Sequence, residues 1–246
     1  MRLLLINPNT SPSITELMAA RAASLLGPEV ALRTATGRFG GRYIASRAAS
    51  AVAGHAALDA YAEHGEGCDA VLIACFGDPG LLALREMASV PVVGMAEASC
   101  HLACLAGRRF SIVTGGERWQ VMLEEFVAAL GLSARLASIR TVAPTGAEIA
   151  ADPDRALASL ASACRAAAEK DGAEAVILGG AGLAGLAERI APEVPVPVIC
   201  SLAAGLEATV AAARRATRKP AMGSFAPTPR VETVGLSTAL ASRFEG

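Results

Sequence analysis

The residues best placed to do chemistry lie in Ala70-Val-Leu-Ile-Ala-Cys-Phe-Gly-Asp-Pro-Gly-Leu81, where an apolar run stops at a single thiol, Cys75. Val71 to Ala74 read as a short strand buried on both faces, which puts Cys75 at a strand's carboxyl end. Asp78 suits an N-cap and Pro79 the first helical position, so a helix is expected to start there with its free N–H groups pointing back at the thiol. Such an arrangement lowers a thiol's pKa and cradles an anion, which is what a cysteine needs to act as base or nucleophile. The alternative is that Cys75 is a small buried hydrophobe, as free cysteines usually are. Its position favours chemistry, because parallel α/β sheets bind ligands at their strand ends.

Composition sets the frame for that site. The 246 residues are 53% hydrophobic, 18% charged and only 4% aromatic, so the apolar content comes from Ala, Leu and Val, as in a helix-rich α/β protein. A net charge of -1 gives no electrostatic footprint for nucleic acid or an anionic membrane. The apolar start breaks at Asn7, too soon for a signal peptide, and Met87 to Gly107 contains Pro91, Glu97 and His101, so no membrane span is expected and the location reads as cytoplasmic. Six cysteines without a Cys-x-x-Cys pair, beside three histidines, predict free thiols, no metal and no disulfide framework. Cys100 and Cys104 share a helix face beside His101, a spacing that could hold a metal but reads better as an apolar face. His55 reads as packing in an Ala-rich helix.

The elements around Cys75 occur in two rounds. In the first, Arg2 to Ile6 is a strand, Ser11 and Pro12 open a helix, Val30 to Thr36 is a strand, and a Gly37-to-Gly41 turn leads to a helix from about Ser46 to Glu63. The strand ending at Cys75, a helix from Pro79, a strand over Val90 to Gly94 and a helix carrying Glu97 follow. In the second round, Arg109 to Thr114 is a strand running into Gly115-Gly116, Trp119 to Phe126 lie on a helix, Leu136 to Val142 is a strand, and Asp152-Pro153 opens a helix to about Lys170. Ala70-to-Leu81 aligns with Ala175-Val-Ile-Leu-Gly-Gly-Ala-Gly-Leu-Ala-Gly-Leu186, and Val90-Pro-Val-Val with Val196-Pro-Val-Ile199. This internal duplication predicts two pseudo-symmetric α/β lobes, each a short parallel sheet flanked by helices, with the active site in the cleft between them. One lobe is expected to comprise residues 1–100 with 205–246, including a last helix from about Leu202, and the other residues 101–204.

In that arrangement Cys75 stands opposite Gly180, with Phe76, Gly77 and Ala181 beside them. The first strand ends supply Asn9 and Thr10 on one side and Thr114, Gly115 and Gly116 on the other, small residues that let backbone N–H groups approach a ligand. Any one of these glycines could simply make a tight turn; their coincidence at equivalent strand ends favours a site. Gly180-Ala-Gly182-Leu-Ala-Gly185 matches a dinucleotide fingerprint, but it falls late in the chain and the next strand ends in Cys200-Ser201, without an acid for a ribose. No nucleotide cofactor is expected.

Ile6-Asn-Pro-Asn-Thr-Ser11, Cys75-Phe-Gly-Asp-Pro-Gly80, Phe110-Ser-Ile-Val-Thr114 and Leu178-Gly-Gly-Ala-Gly182 together resemble the aspartate/glutamate/hydantoin racemase superfamily, closest to its hydantoin and allantoin racemase branch. The resemblance runs through nearly the whole chain. It implies a cofactor-independent isomerase with two lobes, in which two cysteines, one per lobe, remove and return a proton beside a carbonyl. Cys75 falls on the first cysteine; the second, usually in Leu-Gly-Cys-Ala-Gly, is replaced by Gly180. Cys200, at a strand end of the second lobe, is a substitute acid or a core thiol.

Inversion needs proton removal on one face and delivery on the other. The leading expectation is therefore racemase chemistry on a 5-substituted hydantoin or related small cyclic ureide. A one-cysteine decarboxylase, a cis-trans isomerase of a small carboxylate, or an inactive small-ligand binder are the alternatives. The partner is a small molecule, and assembly into homo-oligomers is left open.

Overall fold

The computed structural model describes residues 1–216 and 219–245. Strands β1 (Arg2–Asn7), β2 (Ala31–Thr36), β3 (Ala70–Ile73) and β4 (Val92–Gly94) form one sheet in the order β2-β1-β3-β4. Strands β5 (Phe110–Gly115), β6 (Leu136–Val142), β7 (Ala175–Leu178) and β8 (Val198–Cys200) form a second in the order β6-β5-β7-β8. Both are parallel throughout, and the second repeats the first strand for strand.

The central strands are buried on both faces because their residues are apolar without alternation. Leu3 to Ile6, Val71 to Ile73 and Val176 to Leu178 are all essentially inaccessible. Each Leu, Ile or Val buried there contributes about 1.5–3 kcal/mol relative to exposure. Edge strand β2 keeps Arg33 and Thr34 exposed. Ile6 pairs with Ile73, and Val113 with Leu178, so in each lobe the two central strands end within two residues of each other and their following loops emerge on the same side.

Helices α1 (Pro12–Leu25), α2 (Arg47–His64) and α3 (Leu81–Met87) belong to the first round, and α5 (Trp119–Ala129), α6 (Gly146–Ala151), α7 (Pro153–Asp171) and α8 (Ala187–Ile190) to the second. The helix after each fourth strand changes sheets. Helix α4 (Met95–Ala106) follows β4 yet packs on β7, while α9 (Ser201–Arg215) follows β8 and packs on β3 and β4. The two helices also pack on each other, and small residues permit the approach: a Cβ at Gly205 would lie 2.9 Å from Leu72 Cδ1 and 3.4 Å from Met95 Cα. A last helix, α10 (Thr238–Glu245), rests on α2.

Two local expectations are corrected. Asp78 and Pro79 do not open a helix; α3 starts at Leu81, after Gly80 at φ 79°. Asp78 itself adopts φ 47°, and the segment turns through a Leu81 N–H to Asp78 O bond of 3.1 Å. The Asp78 carboxylate instead accepts the N–H groups of Ala96 and Glu97, both at 2.8 Å, and so caps α4. The second concerns the helix from about Leu202, which is α9 and not the last, since α10 follows it; α6, started by a capping box between Thr145 and Glu148, is a further helix the sequence did not suggest.

Candidate active site

The loops leaving β1, β3, β5 and β7 meet across a cleft that encloses about 550 Å³, including its open mouth. On its first wall are Asn9, Cys75 and Phe76. The second wall carries Thr114, Gly115, Gly180 and Ala181. Seven residues singled out from the sequence therefore come together.

The Asn-Pro-Asn-Thr-Ser segment is a side-chain lock. Asn7 Nδ2 donates to Asn9 Oδ1 at 2.9 Å and to Thr15 Oγ1 at 3.0 Å, and the Ser11 N–H donates to the same Asn9 oxygen at 2.9 Å. With that oxygen committed, what Asn9 offers a ligand is its N–H donors.

Cys75 lies just past β3 and is 8% exposed. Burial, with the nearby Asp78 charge adding, pushes its thiol up to about 12. This reverses the expected depression: burial is the larger cause, the Asp78 carboxylate beside the thiol also opposes a thiolate, and α3 starts only at Leu81 rather than at Asp78-Pro79. Burial also raises the Asp78 carboxyl to about 7, against the two backbone donors that favour its charge.

Opposite, Gly180 has φ 139°, and its N–H donates to Ser201 Oγ at 3.3 Å. A Cβ at Gly180 would meet Leu183 Cδ1 at 3.1 Å and lie 3.8 Å from Thr114 Oγ1. Its neighbour Gly179 is needed for lobe contact, since a Cβ there would lie 2.5 Å from the Phe76 ring.

Four expected site residues do not line the cleft. The N–H of Thr10 donates to Gly41 O at 3.1 Å, which holds the loop rather than a ligand. Gly77, at φ 115°, makes room for Trp119, whose ring would lie 3.0 Å from a Cβ. Gly116, at φ 92°, makes room for the Tyr43 hydroxyl, 2.7 Å from its would-be Cβ. Cys200 pairs in register with Leu178, precedes α9 and packs in the hydrophobic core.

The structure adds residues that pattern reading missed. Tyr43, between β2 and α2, reaches the second lobe, donating its O–H to Gly115 O at 3.3 Å and accepting the Trp119 Nε1–H at 3.1 Å. Arg42 beside it is the only one of the sixteen lining residues with a formal charge at neutral pH. Ile14, Ile44, Trp119 and Leu183 supply apolar wall. The one available signal was an arginine and a tyrosine placed straight after a glycine-rich turn. The lobes are also joined by ion pairs Arg21–Glu188 and Arg47–Glu125, exposed contacts worth about 0–1 kcal/mol each.

Residues 3–209, both sheets and the whole cleft, match the Asp/Glu/hydantoin racemase family. The chain belongs to that family. It is 35% identical over 208 residues to the hydantoin racemase of Pseudomonas sp. (strain NS671), covering 84% of each chain. To the hydantoin racemase of Paenarthrobacter aurescens it is 37% identical over 201 residues, 81% of this chain and 85% of that one. The crystal structure of allantoin racemase from Pseudomonas fluorescens superposes with a TM-score of 0.92 at 30% identity, covering 96% of this chain and all of the other. The protein is thus an isomerase of the racemase type, in the hydantoin branch of its family. No helix among the described residues is long and apolar enough to cross a membrane.

Proposed function

We propose that this enzyme exchanges and inverts the proton on a carbon beside a carbonyl in a small cyclic ureide, such as a 5-substituted hydantoin, with Cys75 as the acid–base group of one wall. The observation that carries this reading is the position of Cys75, at the end of a central strand and facing a compact cleft that the second lobe closes. The relatives named hydantoin and allantoin racemase support the substrate class.

The chemistry follows from the thiol's surroundings. Burial holds Cys75 almost entirely as the thiol near neutral pH, and the thiolate that does form is a correspondingly strong base. It takes the proton from the carbon face turned towards β3, and charge develops on the adjacent carbonyl oxygen. Donors on Asn9 and the positive charge of Arg42, both on the cleft lining, favour that enolate. Every proton transfer uses groups of the chain itself, and no cofactor enters the scheme.

A second reading rests on Gly180, which leaves the second wall without a thiol. Protonation from one face alone suits decarboxylation or cis-trans isomerisation of a small carboxylate.

The deciding experiment incubates each enantiomer of a 5-substituted hydantoin with the enzyme in deuterated water and follows deuterium uptake and optical rotation together. Exchange that depends on Cys75 supports the proposal. Undiminished exchange in Cys75→Ala refutes it, and exchange absent from hydantoins but product formed from a malonate or a maleate selects the second reading.

A further inference from the structure

Gly180 removes the thiol from the second wall, so inversion requires another proton carrier on that side. Four side chains there or on the loop that closes it bear a proton on nitrogen or oxygen: Thr114, Trp119, Arg42 and Tyr43. An aliphatic hydroxyl and an indole do not titrate in water's usual range, and a guanidinium keeps its proton. The phenol, with an ordinary pKa of about 10, is the one that can give and regain a proton.

Tyr43 belongs by sequence to the first lobe, but its ring is held against the second. Its oxygen accepts the Trp119 Nε1–H at 3.1 Å and lies over Gly116, where a Cβ would approach to 2.7 Å. Its own hydrogen goes to Gly115 O at 3.3 Å, long for an O–H···O bond and so readily redirected to a substrate. Cys75 and Tyr43 line the same cleft, one fixed to the end of β3, the other bonded to the end of β5.

We propose that Tyr43 is the second acid–base group of this enzyme and works on the substrate face opposite Cys75. The assignment rests on the racemase reading above. In one direction the Cys75 thiolate takes the C–H proton and becomes a thiol, leaving an enolate. The Tyr43 O–H then gives its proton to the other face of that carbon, and the electron pair left on oxygen makes a tyrosinate, which Trp119 Nε1–H stabilises. Exchange with solvent returns the thiol to thiolate and the tyrosinate to phenol. The reverse reaction exchanges the two roles. Burial raises the Tyr43 phenol above its ordinary value, as it raises the Cys75 thiol.

The test is Tyr43→Phe, assayed in deuterated water with both enantiomers of a 5-substituted hydantoin. Inversion should fall at least 100-fold, in line with the usual worth of a general acid. Deuterium uptake by the enantiomer whose C–H faces Cys75 should stay within about tenfold of wild type, because one base is enough for exchange with retention. A Tyr43→Phe enzyme that inverts like wild type overturns the assignment. A wild type that exchanges one enantiomer without inverting it also overturns it, while leaving Cys75 in place. A wild type that exchanges neither enantiomer overturns the racemase reading and Tyr43 with it. Should Tyr43→Phe fail to fold, 3-fluorotyrosine labelling decides, since the chain has two tyrosines and Tyr61 is buried in α2 away from the cleft. The more acidic phenol should move the pH limb of inversion to lower pH and leave that of Cys75-side exchange unmoved; an unmoved inversion limb overturns the proposal.

Discussion

Asp78 follows Cys75 by three residues, and its carboxylate is bonded to the start of another helix while its charge bears on the thiol. Asp78, which the sequence assigns to activating Cys75, therefore caps α4, and its charge adds to the burial that keeps Cys75 protonated. Asparagine tolerates the left-handed backbone that Asp78 adopts at φ 47°, so Asp78→Asn is a fair probe. Alkylation of Cys75, located by mass spectrometry, should speed up in Asp78→Asn between pH 8 and 9 because the opposing charge is gone. Unchanged alkylation would show that burial alone sets the thiol.

The same variant has a stability signature. The Asp78 carboxyl is raised from an ordinary value of 3.8 to about 7, so the folded state binds its proton more tightly than the unfolded one. That contribution is complete below about pH 3.9 and is lost as pH rises through 7. Wild-type Tm measured relative to Asp78→Asn should therefore decline from pH 4 to pH 8. A difference that grows with pH contradicts this account.

Cys75→Ser should abolish racemisation with the fold intact, since the thiol touches the cleft and makes no structural hydrogen bond among those described. The loss should exceed about 10²-fold, the usual range for a general acid or base. The sole tryptophan, Trp119, lines the same cleft, so an unchanged emission spectrum verifies folding.

Installing a thiol at the second wall has a structural cost. Gly180 sits at φ 139° with Leu183 Cδ1 3.1 Å from a Cβ, so Gly180→Cys should lose about 1–3 kcal/mol in denaturant unfolding. The new sulfur starts beside Thr114, and in a Tyr43→Phe background it should restore measurable inversion. Exchange without any recovery of inversion would mean that position 180 does not reach the substrate.

Arg42→Gln removes the single formal charge of the lining. If that charge meets the enolate, kcat/KM should drop about 10- to 100-fold, the range for a hydrogen bond to a charged group. The wild-type rate should also weaken with added salt, because Arg42 is exposed, whereas Arg42→Gln should be salt-insensitive. Equal rates and equal salt response would remove Arg42 from the reaction.

The sequence by itself determined the elements whose causes are local. Continuous apolar runs made β1, β3, β5 and β7, Ser46 capped α2 by accepting the Ala49 N–H, Asp152 capped α7, and the near-repeats, Val-Pro-Val among them, foretold two similar parallel sheets, whose shared strand order the structure then showed. It also placed Cys75 and Gly180, because strand ends can be counted along the chain. Tertiary structure decided what depends on partners distant in sequence. Asp78 had two competing uses, and its carboxylate went to the donors of Ala96 and Glu97 while the left-handed turn at Asp78 and Gly80 delayed the start of α3 to Leu81. Tyr43 entered the cleft through contacts with Gly115 and Trp119, each more than 70 residues away. Cys200 was drawn into the core by the ladder to Leu178, and the thiol's acidity followed from burial, a property that no single stretch of sequence contains.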